Sequence, residues 1–292
     1  MKVAVMTDST AYLTSEQVAR YQIHVLPIPI LWGDETLRDM IDIGQEPFYD
    51  RMRTDPVLPT TSQPSIGAVQ ELVGQLVAEG YEALIAPVIS SGISSFYSNL
   101  AAYAAQEKRL RVYPFDSHIT CAGLAFAAQL AGKMAQAPDA DPEQIMTALA
   151  QLRETTGVYF MVDDLAHLRR TGRLSNASSF VAGLLKIKPI LSMDIHAAGK
   201  GEISAIAKER QTKRAVQWIM DHFAAAIKDL DYPIRCTIFD ANDPIAKQEW
   251  LTEFSKQFPQ VTFDTSIIGP VIGVHTGEKA MSMIWAKDWE KF

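Results

Sequence analysis

Short runs of apolar and β-branched residues alternate with longer stretches in which apolar positions recur every three or four residues. In the first half the short runs fall at residues 3–6, 24–31, 83–89 and 112–115, and they read as strands. The helical period occupies residues 15–21, 47–53, 67–79, 93–106 and 120–135. Strands that take turns with helices predict parallel βαβ units with helices on both faces of a sheet. Pro87 lies inside the third run, and a proline in a central strand forfeits a ladder hydrogen bond. That strand is therefore expected at a sheet edge, or with a later start. The segment A-P-D-A-D-P-E (residues 137–143) reads as a loop whose Asp141-Pro142 pair supplies an N-cap and a first helical turn. It marks the approach to a boundary that divides the chain into residues 1–156 and 157–292.

Beyond Gly157 strands are expected at residues 158–162, 189–193, 203–207, 234–239 and 261–267, with amphipathic helices at 213–227 and 244–257. The connection A-A-G-K-G (197–201) is too short for a crossover, so the strands beside it should form an antiparallel hairpin. The fold class that follows is α/β in two domains, an N-terminal mostly parallel sheet flanked by helices and a C-terminal mixed α/β domain. The last residues, A-K-D-W-E-K-F (286–292), read as an exposed amphipathic tail. Trp250, Trp285 and Trp289 suit either core or a partner surface.

Composition narrows the function classes. A net charge of -7 over 292 residues argues against a basic face for nucleic acid or an anionic membrane. No run approaches the roughly twenty apolar residues of a membrane span, so membrane contact is at most transient. Cys121 and Cys236 match no metal or redox spacing and read as buried thiols in a reducing cytoplasm. No G-x-G-x-x-G follows the first strand, and no P-loop or H-E-x-x-H motif occurs, so no cofactor or metal is expected.

The candidate chemistry lies in small hydroxyls at strand ends. Thr7-Asp8-Ser9-Thr10 ends the first strand and Asp116-Ser117 the fourth, while P-T-T-S-Q-P-S (59–65) precedes a helix. The third strand runs into V-I-S-S-G-I-S-S-F-Y-S-N (88–99). Such loops gather beyond the carboxyl ends of parallel strands, where ligands bind. Read alone, each is a turn with a helix cap, such as Ser65 or Ser94. Read together, they suit a carboxylate or phosphate. Serine catalysis at Ser91 also stays open, because S-S-G-I-S follows a strand and opens a helix, although the G-x-S-x-G elbow is missing.

The blocks T-D-S-T-A-Y-L, P-T-T-S-Q-P-S, V-I-S-S-G-I-S, F-D-S (115–117), T-G-R-L-S (171–175) and L-K-I-K-P-I-L (185–191) together resemble the DegV family in content and order, over nearly the whole chain. That resemblance implies a lipid-binding protein of the FakB type, the fatty-acid-binding subunit of bacterial fatty acid kinase, without catalytic groups of its own. A separate ATP-using kinase subunit would phosphorylate the bound carboxylate for phospholipid synthesis. The resemblance places Thr61 and Ser91 on the carboxylate oxygens, with backbone N–H groups around Ser62 and Gly92. Arg173 and His275 would orient the head group or face the kinase, while Arg169 and Arg170 read as solvated surface. Two alternatives remain: a carrier of another anionic amphiphile, and a stand-alone serine acyl hydrolase or transferase using Ser91. The chain departs from the family pattern at H-T-G-E-K-A-M-S-M (275–283), where a Gly-Pro-Gly-type loop is usual. It departs again at Ser95-Phe96, where a glycine and a small residue are usual.

Overall fold

The computed structural model describes residues 1–163, 165–175 and 187–292, and three sheets organise these residues. The first is parallel, in the order β2 (Ile23–Leu26), β1 (Val3–Asp8), β6 (Ala83–Val88), β7 (Arg111–Asp116). All six residues of both β1 and β6 are buried, as expected of central strands covered on both faces. Helices α1 (Ser15–Tyr21), α3 (Ile66–Ala78), α4 (Phe96–Ala104), α5 (Cys121–Ala135) and α6 (Pro142–Glu154) belong to this half. Thr14 opens α1 with a capping box closed by Gln17, and Ser65 caps α3 by accepting from Ala68 N. Asp141 caps α6, with Pro142 in its first turn, as the sequence predicts.

Pro87 does not mark an edge. β6 is the third of four strands, and it tolerates proline because its ladder with β1 ends at Val5↔Ile85, while pairing with β7 continues to Val88↔Asp116. The run 24–31 is likewise not one strand. Pro27 and Pro29 interrupt it, leaving β2 in the parallel sheet and β3 (Pro29–Trp32) in a small antiparallel sheet with β4 (Glu35–Arg38) and β5 (Thr60–Thr61). Helix α2 (Gln45–Thr54) connects the last two.

The mixed sheet takes six strands, in the order β10 (Ile203–Glu209), β9 (Lys188–Met193), β8 (Gly157–Met161), β13 (Met281–Lys287), β11 (Ile234–Asp240), β12 (Thr262–Ile267). β9 and β10 form the expected antiparallel hairpin, with a bulge between Ala205 and Ala207. Strand β13 has no counterpart in the hydrophobic pattern, yet it runs antiparallel to both neighbours at the centre of the sheet. Helices α8 (Thr212–Ile227) and α9 (Pro244–Gln257) cover one face, where Phe223, Phe254 and Trp285 form a core. The opposite face shares one continuous core with the parallel half, joining Val5 and Leu84 to Phe160, Leu191 and Val271. Among the described residues this half also holds two short helices, α7 (Ala166–Arg170) and α10 (Pro270–Thr276).

The C-terminal segment is not an exposed tail. Trp289 is buried and meets Tyr21 edge-on, with ring centroids 5.4 Å apart, while buried Asp288 accepts from Arg235 Nε at 2.9 Å. All three tryptophans left open by the sequence are buried.

Candidate functional site

A cavity of about 310 Å³ lies where the shared core opens between the halves. Most of its wall is aliphatic or aromatic: Ile28, Ile89 and Ile119 from the parallel half, and Val158, Phe160, Ile203 and Ile284 from strands of the mixed sheet. Its hydrophilic lining includes Thr61, Ser62, Gln63, Ser94, Ser95, Arg173 and His275. Several of these make hydrogen bonds at the cavity wall. Thr61 Oγ1 lies 2.9 Å from His275 Nε2, Ser95 Oγ donates to Gln63 Oε1 at 2.8 Å, and Arg173 Nε donates to Ile93 O at 3.4 Å.

Each side chain is aimed by a different element. Thr61 is the last residue of β5, whose pairing with β3 places it opposite Ile30. His275 rides on α10, which ends at Gly277 with φ of 74°; a Cβ there would stand 2.7 Å from the His167 ring. Arg173 follows α7, and its Nη1 also donates to Thr171 O.

The electrostatics of this lining are one-sided. Burial, reinforced by Arg173, Arg170 and His167, pushes the His275 imidazole down to about 3, so the ring is neutral at physiological pH. Its Nδ1 is buried without a hydrogen-bond partner. Arg170 donates to the carbonyls of Pro59 and Val274, each at 3.3 Å. Among the described residues, no carboxylate pairs with Arg170 or Arg173. Hydroxyls, a neutral imidazole and two guanidiniums suit an anion, and the apolar remainder suits a hydrocarbon tail.

Of the residues singled out from the sequence, the structure brings Thr61, Ser62, Arg173 and His275 to the cavity wall. It does not bring Ser91 and Gly92 there. The Ser91 side chain is exposed, and its N–H donates to Asp116 Oδ1 at 3.0 Å. Gly92 N donates to Ser90 Oγ at 3.1 Å, and a Cβ at Gly92 would stand 2.3 Å from Lys200 O. Buried Ser90 donates to Gly201 O at 2.8 Å, so S-S-G clamps the end of β6 to the β9–β10 hairpin. The hydroxyls of this stretch that reach the cavity are Ser94 and Ser95, one residue before and at the N-cap of α4. The expected N–H donor of Ser62 is also taken, by Pro29 O at 3.0 Å. Among the described residues no histidine hydrogen-bonds Ser91. The block at 185–191 begins outside the described residues at Leu185 and Lys186.

Sequence reasoning missed Gln63, Ser94 and Ser95 as lining residues. All three lie inside the two hydroxyl-rich blocks, which was the available signal.

Comparison with known proteins bears on the family and the fold. A family model described as "Uncharacterised protein, DegV family" matches residues 2–288. Protein DegV of Bacillus subtilis is 39% identical over 286 residues, covering 98% of this chain and 99% of that one. The crystal structure of DegV, a fatty acid binding protein from Bacillus subtilis, superposes with a TM-score of 0.89 at 38% identity, covering 99% of this chain and all of that one. A fatty acid binding DegV family protein from Streptococcus agalactiae gives the same TM-score at 27% identity, with 99% of each chain covered. Sequence match from end to end, the shared sheets and the cavity between them lead to one conclusion: the chain belongs to the DegV family.

Proposed function

We propose that this protein binds a long-chain fatty acid and presents its carboxylate to a separate ATP-dependent kinase subunit. The observation that carries the reading is the Thr61–His275 pair, in the hydrophilic lining of an otherwise apolar cavity and beside Arg173. Relatives described as fatty acid binding support it.

The energetics favour such a ligand. Burial contributes roughly 0.8 kcal/mol per methylene, so a long chain binds firmly in an apolar cavity. A carboxylate taken from water without partners loses several kcal/mol, which Thr61, Ser62, Ser94, Ser95 and Arg173 offset with donors. Neutral His275 adds a hydrogen-bonding group without a second permanent charge. In the partner's reaction a carboxylate oxygen attacks the γ-phosphorus of ATP, the bond to ADP breaks, and an acyl phosphate forms. The kinase supplies that chemistry, and the exposed Arg169 and Arg170 beside the cavity supply a surface for it.

We assign residues 1–156 and 157–292 to two domains that close on the ligand, since each large sheet is confined to one of these spans. Ser91 and Gly92 act in this reading by holding the loop that carries Ser94. Buried free Cys121 and Cys236 favour a cytoplasmic location.

Native mass spectrometry of protein purified from bacteria, followed by titration with oleate, tests ligand binding. A copurified fatty acid, with affinity lost in Thr61→Val and His275→Ala, is expected. An empty protein that ignores oleate overturns the reading. Acyl phosphate formed from the loaded protein, ATP and a fatty acid kinase subunit tests the presentation step.

A further inference from the structure

His275 reaches Thr61 from α10, yet nothing in α10's own sequence satisfies its first turn. Gly269 is the N-cap and has no side chain to offer, and Pro270 has no N–H. The next two donors are taken by side chains from the other end of the chain. Val271 N donates to Asp39 Oδ1 at 3.3 Å, and Ile272 N to the Tyr12 hydroxyl at 3.1 Å. Both acceptors are buried.

Asp39 also reaches the opposite side of the site. Its Oδ2 accepts from Ser9 Oγ at 2.7 Å, and Ser9 Oγ in turn accepts from Ile28 N at 3.0 Å. Ile28 lines the cavity and immediately precedes β3, whose Ile30 pairs with Thr61. One carboxylate thus ties the helix that carries His275 to the backbone leading into Thr61's partner strand. We infer that Asp39 is a positioning residue that sets the Thr61–His275 separation and, through it, the fit of the ligand's carboxylate.

The second half of that inference rests on the fatty-acid reading; the first does not. Burial, with a contribution from Asp8, pushes the Asp39 carboxyl up to about 7. The titratable groups that face it are Asp8, Tyr12, Tyr49 and Cys121, and no cation among the described residues pairs with it. Ionised Asp39 suits a helix N-terminus, while protonation removes that charge and an acceptor for Ser9. The grip on α10 is therefore strongest above neutrality.

The test uses ligand-free and oleate-titrated full-length protein between pH 6 and 8. In wild type, the His275 ring ¹⁵N signals should follow Asp39, and oleate affinity should fall about fivefold toward pH 6. Asp39→Asn should hold both at the weak level across the range. Any contribution of His167, which stands beside His275, is common to the two proteins. Tyr12→Phe removes the other acceptor, and it should move the ring signals and weaken oleate about threefold while keeping the pH dependence. It decides the matter if Asp39→Asn does not fold. Ring signals that follow Asp39 in a protein that never binds oleate would support the positioning role and overturn the ligand. Ring signals and pH profiles unchanged in both variants would overturn the positioning role.

Discussion

Asp8, at the end of β1, accepts a hydrogen bond from Ile89 N at 2.7 Å, 81 residues along the chain and just past the end of β6. This contact takes over where the β1–β6 ladder stops, two residues before Pro87. The same carboxylate accepts from Thr10 N at 3.0 Å and Thr10 Oγ1 at 2.5 Å. Burial raises the Asp8 carboxyl, and these three donors oppose the rise. A proline in a central strand is thus tolerated because a neighbouring side chain meets the next free donor.

Removing that side chain should be costly. Asp8→Ala leaves the buried N–H of Ile89 and that of Thr10 without partners, and it is expected to lower unfolding free energy by about 3 kcal/mol. Urea denaturation checks this; a midpoint unchanged from wild type would contradict it.

Two buried groups should give opposite pH dependences of stability. Asp39 has its carboxyl raised from 3.8 to about 7, so its contribution is full below 3.8 and is lost as pH rises through 7. His275 is lowered from 6.5 to about 3, so its contribution is full above 6.5 and is lost as pH falls toward 3. Between about pH 4 and 6.5 the two slopes oppose each other, each at most about 1.4 kcal/mol per pH unit. Asp39→Asn should therefore lose stability on acidification across this range relative to wild type, and His275→Gln should gain it. Denaturant titrations at pH 4.5 and 6.5 measure both, and equal slopes in the two variants would refute the assignment.

Arg173 should recognise the charge of a ligand rather than its tail. Arg173→Gln is expected to weaken oleate about tenfold, the scale of one charge-assisted hydrogen bond, with methyl oleate changed less than twofold. Competition with a fluorescent fatty acid gives both affinities. Equal losses for acid and ester would show that Arg173 shapes the cavity instead.

Within the serine-rich loop, the structure separates neighbours. Ser91→Ala alters an exposed side chain and should change oleate affinity less than twofold, whereas Ser94→Ala removes a cavity hydroxyl and should weaken it about threefold. Gly92→Ala forces a Cβ against backbone oxygens of Lys200 and Gly201 and should cost about 2 kcal/mol of stability. Calorimetric titration and thermal melts distinguish the three.

How far the residues could be read depended on the range of the interactions. Helices α1, α3 and α6 announce themselves through period and caps, because the Thr14 and Asp141 side chains bond within three residues. The β9–β10 hairpin follows from a connection too short for anything else. By contrast β13, M-S-M-I-W-A-K, lacks β-branched enrichment and follows a loop-like H-T-G-E-K, and only its two neighbours make it a central strand. The tail was misread for a similar reason: Trp289 finds its apolar partner in Tyr21, near the other end of the chain. The family resemblance singled out Thr61, Arg173 and His275, and only the folded chain sets them on one cavity wall. A loop has no period, so nothing local showed that Ser94 and Ser95 line the cavity while Ser91 does not.

The amino-acid order by itself determined the α/β alternation, the switch to a mixed second sheet, the caps and the supply of hydroxyls at strand ends, since propensity, periodicity and capping act within a few residues. Tertiary structure alone decided that the Thr61 hydroxyl meets His275, that Pro87 could sit in a central strand, and that Asp39 accepts from the first turn of α10. Those outcomes depend on packing between segments up to 260 residues apart, where burial and unmet hydrogen-bond donors choose the partners.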